Sequence, residues 1–105
     1  MGKSGLETVP AAVHLEDVAK SQTGQVLGST GKTGDFLSHI VVVPETTGAG
    51  TIALLDGSVS RNIFIAGTLS NLQPFTIWFN ARSVNGAWSL TTGDNVHAIC
   101  VGSFT

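Results

Sequence analysis

Charge is what this chain has least of. Five of its 105 residues are Lys or Arg and seven are Asp or Glu, twelve together, where an average soluble domain of this length carries roughly twenty-six. A folded monomer of 10.8 kDa exposes about 5,500 Å². Twelve charges do not cover that area, so Gly, Ser, Thr, Asn and aliphatic groups must form most of the surface, and part of it is expected to be covered by other protein chains. The expectation is a structural or binding component in an obligate assembly, not an enzyme. A net charge of −2 and a pI near 5.8 argue against nucleic acid, because phosphate neutralisation needs clustered basic side chains. Lys3, Lys20, Lys32, Arg61 and Arg82 are scattered instead. The single cysteine, Cys100, leaves no intramolecular disulfide and no multi-cysteine metal site. It reads as a small buried hydrophobe. No segment is long and apolar enough to span a membrane, and Met1 to Pro10 lacks the apolar stretch of a secretion signal. Myristoylation needs Ser or Thr where this chain has Leu6.

What is abundant is apolar content, 42% of residues with a mean hydropathy of +0.30, and its pattern changes near residue 35. Residues 1–34 are rich in Gly, Ser, Thr and Lys, and their apolar residues Leu6, Val9, Val13, Leu15 and Val18 hold neither a period of 2 nor of 3.6. This region reads as an extended N-terminal arm. Within it Leu15 to Ser21 is expected as a short helical turn, Gln25 to Leu27 as a first short strand and Thr30 to Gly34 as a loop. Its apolar residues Leu6, Val9, Val13 and Leu15 are the candidate partner contacts. On that reading, deleting residues 1–24 abolishes attachment and leaves the rest folded.

Residues 35–105 read as an antiparallel β-sandwich domain. Apolar runs of five to nine residues alternate with Gly, Asn, Asp and Pro punctuation, the spacing of an all-β sandwich or barrel. Phe36 to Val43 is a β-branched strand ending at Pro44. Thr51 to Leu55 and Arg61 to Ala66 form an expected hairpin around Asp56-Gly57, with a loop of four or five residues. Phe75 to Asn80 (FTIWFN) is dense enough in aromatics to be core or interface. Asn85-Gly86 is the strongest hairpin signal, expected to join Ala81–Val84 with Ala87–Thr92. The last strand, Val96 to Phe104, is largely apolar on both faces, as expected where one face meets a core and the other a second sheet or subunit.

Motifs with chemistry are few. Gly28-Ser29-Thr30-Gly31-Lys32-Thr33 resembles the end of a phosphate-binding loop, but the first glycine of that motif falls on Val26. His14, His39 and His97 match no metal-ligand or triad spacing. Ser38 and His39 are expected to point to opposite faces. Asp35, Glu45, Asp56 and Asp94 read as solvated turn residues rather than paired catalytic carboxylates. Trp78 is expected in the core. Trp88, near a loop end, is the expected surface contact.

Residues 35–105 also resemble small phage virion structural proteins. The likeness rests on TGDFLSHIVVVP, LLDGS, LQPFTI, VNGAWSLTTG and CVGSF, all of them turn and strand chemistry with no catalytic residue. It implies a jelly-roll-like β-sandwich, usually a homotrimer, that decorates the capsid as a cement protein bridging major capsid subunits. A tail or fibre component, or a carbohydrate- or receptor-binding module, is the alternative. The location implied is the virion surface, after synthesis in the host cytoplasm. Neither cofactor nor metal nor nucleic acid nor membrane enters that picture.

Overall fold

The computed structural model describes residues 13–65 and 73–105. Eight strands alternate along them: β1 (Val13–Val18), β2 (Gln25–Val26), β3 (Phe36–Pro44), β4 (Ile52–Asp56), β5 (Val59–Phe64), β6 (Phe75–Arg82), β7 (Trp88–Thr92) and β8 (Val96–Ser103). They form two four-stranded antiparallel sheets, ordered β1-β8-β3-β6 and β2-β7-β4-β5. That order is the double Greek key of a jelly roll. The all-β sandwich expected from the punctuation of the sequence is the fold.

The core follows from alternation. On β3 Leu37, Ile40 and Val42 point inward, on β4 Ile52 and Leu54, on β7 Leu90 and on β8 Val96, Ala98 and Cys100. A one-residue irregularity between Leu37 and His39 keeps Leu37 and Ile40 on the same face across an odd spacing, which is what a β-bulge does. Asn80, at φ 49°, lies in the stretch of β6 opposite it. Gly102 admits no side chain, because a Cβ there would collide with the Phe36 carbonyl oxygen and the Phe104 ring.

Four expectations are corrected. Residues 13–34 are part of the sandwich: β1 pairs along its whole length with β8, β2 pairs with β7, and Val18 and Leu27 are fully buried. Leu15 to Val18 therefore lie in a strand, not a helical turn. The β4–β5 hairpin is tighter than expected, since Asp56 pairs with Val59 across Gly57-Ser58 alone, with Gly57 at φ 62°. Asn85-Gly86 closes no hairpin, because β6 belongs to one sheet and β7 to the other. The Asp56 carboxylate accepts from the Val84 and Asn85 amides at 3.0 Å each, and a Cβ on Gly86 would come within 2.7 Å of the Gly57 Cα. The turn is thus anchored to the β4–β5 hairpin and carries the chain from sheet to sheet.

Candidate interaction surface

The two tryptophans exchange the places expected of them. Trp88 opens β7 inside the sandwich, 6% exposed, and its Nε1 donates to the Asp35 carbonyl at 2.8 Å. It is not a surface contact. Trp78 is 64% exposed, and its ring lies against His39 with centroids 4.4 Å apart. The signal was present in the alternation of β6: Phe75, Ile77 and Phe79 share one face, so Trp78 belongs to the other.

That other face is the outside of the β1-β8-β3-β6 sheet. Reading across the four strands, Leu15, Val101, His39 and Trp78 form one row, and Asp17, Ile99, Val41 and Thr76 the next. Leu15 is 65% exposed, while Val41, Ile99 and Val101 are half-buried. Asp17 is the single Asp, Glu, Lys or Arg in these two rows, and His39 is their other titratable residue. Of the candidate arm contacts, Val13 and Leu15 are exposed on β1, whereas Leu6 and Val9 lie outside the described residues.

Elsewhere the polar groups are spent on the fold. Asp35 is buried, and its carboxylate accepts from the Lys32 amide at 3.0 Å, the Thr105 amide at 2.9 Å and the Thr105 hydroxyl at 2.7 Å. Asp35 and Asp56 are therefore loop clamps rather than solvated turn residues. Five of the amides in residues 28–34 are engaged likewise: Gly28 donates to Glu16, Thr30 and Gly31 to the Thr105 carbonyl, Lys32 to Asp35 and Gly34 to Ser83. A phosphate would find those donors engaged. An open groove of about 660 Å³ is lined by Asp17, Lys20, Glu45, His97 and Ile99 among others, and there Glu45 pairs with His97 at 2.7 Å.

His39 departs from expectation. The bulge brings the Ser38 hydroxyl within 3.0 Å of its Nδ1, although neighbours in a regular strand point apart. Among the described residues no carboxylate orients this imidazole, so the arrangement lacks the third member of a triad. Nor, among those residues, do three or more His, Cys, Asp or Glu gather where a metal ion could sit. No known protein family matches this chain, and neither does any curated protein or solved structure.

Cys100 faces the core from the middle of β8. Burial, then the Glu16 and Asp17 carboxylates, push its thiol from 9.0 up to about 12. The thiolate is the reactive form, so the folded protein is expected to resist a thiol-specific disulfide reagent until denaturant is added. The folded thiol keeps its proton above pH 9 while the unfolded one sheds it. Stability is therefore independent of this group below about pH 9 and declines as pH rises from there toward 12. Denaturant titrations at neutral and alkaline pH check the direction.

Proposed function

We propose that this chain is a virion structural protein, a capsid decoration (cement) protein that bridges neighbouring major capsid subunits as a homotrimer on the phage head. The observation that carries the reading is the apolar outer face of the β1-β8-β3-β6 sheet, from Leu15 to Trp78. A cement protein works by buried area, and such a face provides it without chemistry. The jelly-roll strand order agrees at the level of the fold, since viral shell and lectin domains recur on it. The test is co-sedimentation of the purified protein with shells of the major capsid protein of its phage. Saturable binding is expected, weakened at least tenfold by Val41→Glu in the middle of the face. A folded protein that stays in the supernatant would sink the proposal.

One observation favours a glycan- or receptor-binding module on a tail or fibre instead. Trp78 presents an open ring beside His39, with the Thr76 hydroxyl on the same face, and exposed aromatic rings stack on sugars. Glycan binding that disappears in Trp78→Ala would support this second reading over the first.

A further inference from the structure

We infer that the turn between β6 and β7 modifies itself with age: Asn85 loses its side-chain amide to attack by the Gly86 nitrogen, and the product loosens the join between the two sheets. The residues that follow the asparagines of this chain are Ile63, Leu72, Ala81, Gly86 and Val96. For the next residue's backbone nitrogen to reach an asparagine Cγ, the main chain must swing into conformations that a Cβ obstructs and glycine permits. Asn85 alone has that neighbour. The packing then separates Asn85-Gly86 from Asp56-Gly57, which can close the same ring and lies against it, a Cβ on Gly86 reaching within 2.7 Å of the Gly57 Cα. The Asp56 carboxylate is buried and accepts from the Val84 and Asn85 amides, and the Gly57 amide donates to the Ala87 carbonyl at 3.1 Å. Asn85 is exposed. Its side-chain amide makes one bond, to Asp56 Oδ2 at 3.4 Å, longer than the usual range. Among the described residues the Gly86 amide has no acceptor. Electrophile and nucleophile are thus available at Asn85-Gly86 and engaged at Asp56-Gly57.

In the reaction the Gly86 nitrogen bonds to Asn85 Cγ as the Cγ–Nδ2 bond breaks, and the proton displaced from Gly86 leaves with Nδ2 as ammonia. Water then opens the cyclic imide at either carbonyl, giving aspartate or isoaspartate. Aspartate sets a carboxylate where the amide stood, 3.4 Å from Asp56 Oδ2, and two carboxylates that close oppose each other's ionisation. Isoaspartate adds a methylene to the main chain within the turn. Both disturb the Asp56 clamp on the Val84 and Asn85 amides, which is what anchors the turn to the β4–β5 hairpin. The change is one-way, and it acts whatever surface the protein docks on.

The experiment is peptide mapping by mass spectrometry on the full chain, kept in mildly alkaline buffer at physiological temperature beside a portion held unfolded in guanidinium. In the folded protein a gain of about 1 Da is expected at Asn85, as separate aspartate and isoaspartate forms, with ammonia released. Asn62, Asn80 and Asn95 stay intact over the same interval, and Asp56 isomerises only in the unfolded portion. Asn85→Gln, whose longer arm closes the ring poorly, should slow the change at that position at least tenfold. Asn85→Asp, which reproduces one product, should lower the Tm by roughly 5 °C. An Asn85 that stays intact in the folded protein after the unfolded portion has converted overturns the inference, and so does equal conversion of Asn80 or Asn95 in the folded chain. An Asn85→Asp chain that melts with the wild type overturns the loosening.

Discussion

A chain that begins at Gln25 is expected not to fold. Removing residues 1–24 takes away β1, whose six residues pair with β8, and with it the fully buried Val18, worth about 1.5–3 kcal/mol of apolar burial. It also strips Thr92 of its partners. That hydroxyl donates to the Ala19 carbonyl at 2.6 Å and accepts from the Gln22 amide at 2.9 Å, while the Thr92 amide donates to the Gln22 carbonyl at 2.8 Å. Each such bond contributes about 1 kcal/mol net, and β8 becomes an open edge with Ala98 and Cys100 uncovered. The sum takes most of the roughly 5–15 kcal/mol that holds a domain together. Calorimetry and near-ultraviolet circular dichroism should show no cooperative transition. A sharp transition in the truncated chain would mean that β1 is dispensable, as the arm reading required.

The second large effect is expected at Asp35. Alanine there removes the acceptor of three hydrogen bonds that tie Lys32 and Thr105 to the start of β3. It also loosens the backbone whose carbonyl receives the Trp88 indole and the Ser83 amide. Bonds to a carboxylate contribute about 1.5–3 kcal/mol apiece when fully sheltered. Lys32 and Thr105 are exposed and water replaces part of the loss, so Asp35→Ala should cost about 3 kcal/mol and lower the Tm by ~15 °C. Asp35→Asn should cost only about 1 kcal/mol, since the amide oxygen can accept from both main-chain donors while its NH₂ donates to the Thr105 hydroxyl. Thermal unfolding of the two variants checks this. Equal losses would show that the negative charge matters, and not the clamp geometry.

Strands were legible where a run rich in β-branched residues is bounded on one side by a chain-breaking residue, Pro44 after one and Gly93-Asp94-Asn95 before the other. Phe36–Pro44 and Val96–Ser103 fall within a residue or so of their expected limits. Pairing was not legible, because a strand's own pattern does not say which sheet it enters. Asn85-Gly86 does turn the chain, yet the Asp56 carboxylate and the Gly57–Gly86 contact that direct it between sheets come from residues far along the sequence. The irregular pattern of β1 has a local cause: Leu15 lies on the outer apolar face, while Glu16, opposite Cys100, turns its carboxylate to the Gly28 amide and the Gln25 side chain. A strand with Val13, Leu15 and Asp17 outside and His14, Glu16 and Val18 inside defeats a search for buried alternation. The same outer face misled the reading of Trp78, which apolar density alone assigns to the core.

The place of β8 has a consequence for how the molecule comes to exist. It is the last of the eight strands in chain order, yet it lies between β1 and β3, so neither neighbour can complete its ladder until the ribosome has released nearly everything described here. Joining Val13 to Ser103 closes the longest loop available, and such non-local pairing puts folding in the millisecond-to-second range. During that interval β1 and β3 each lack the strand that joins them. Slowing the arrival of β8 is therefore expected to lower the yield of folded chains on overexpression.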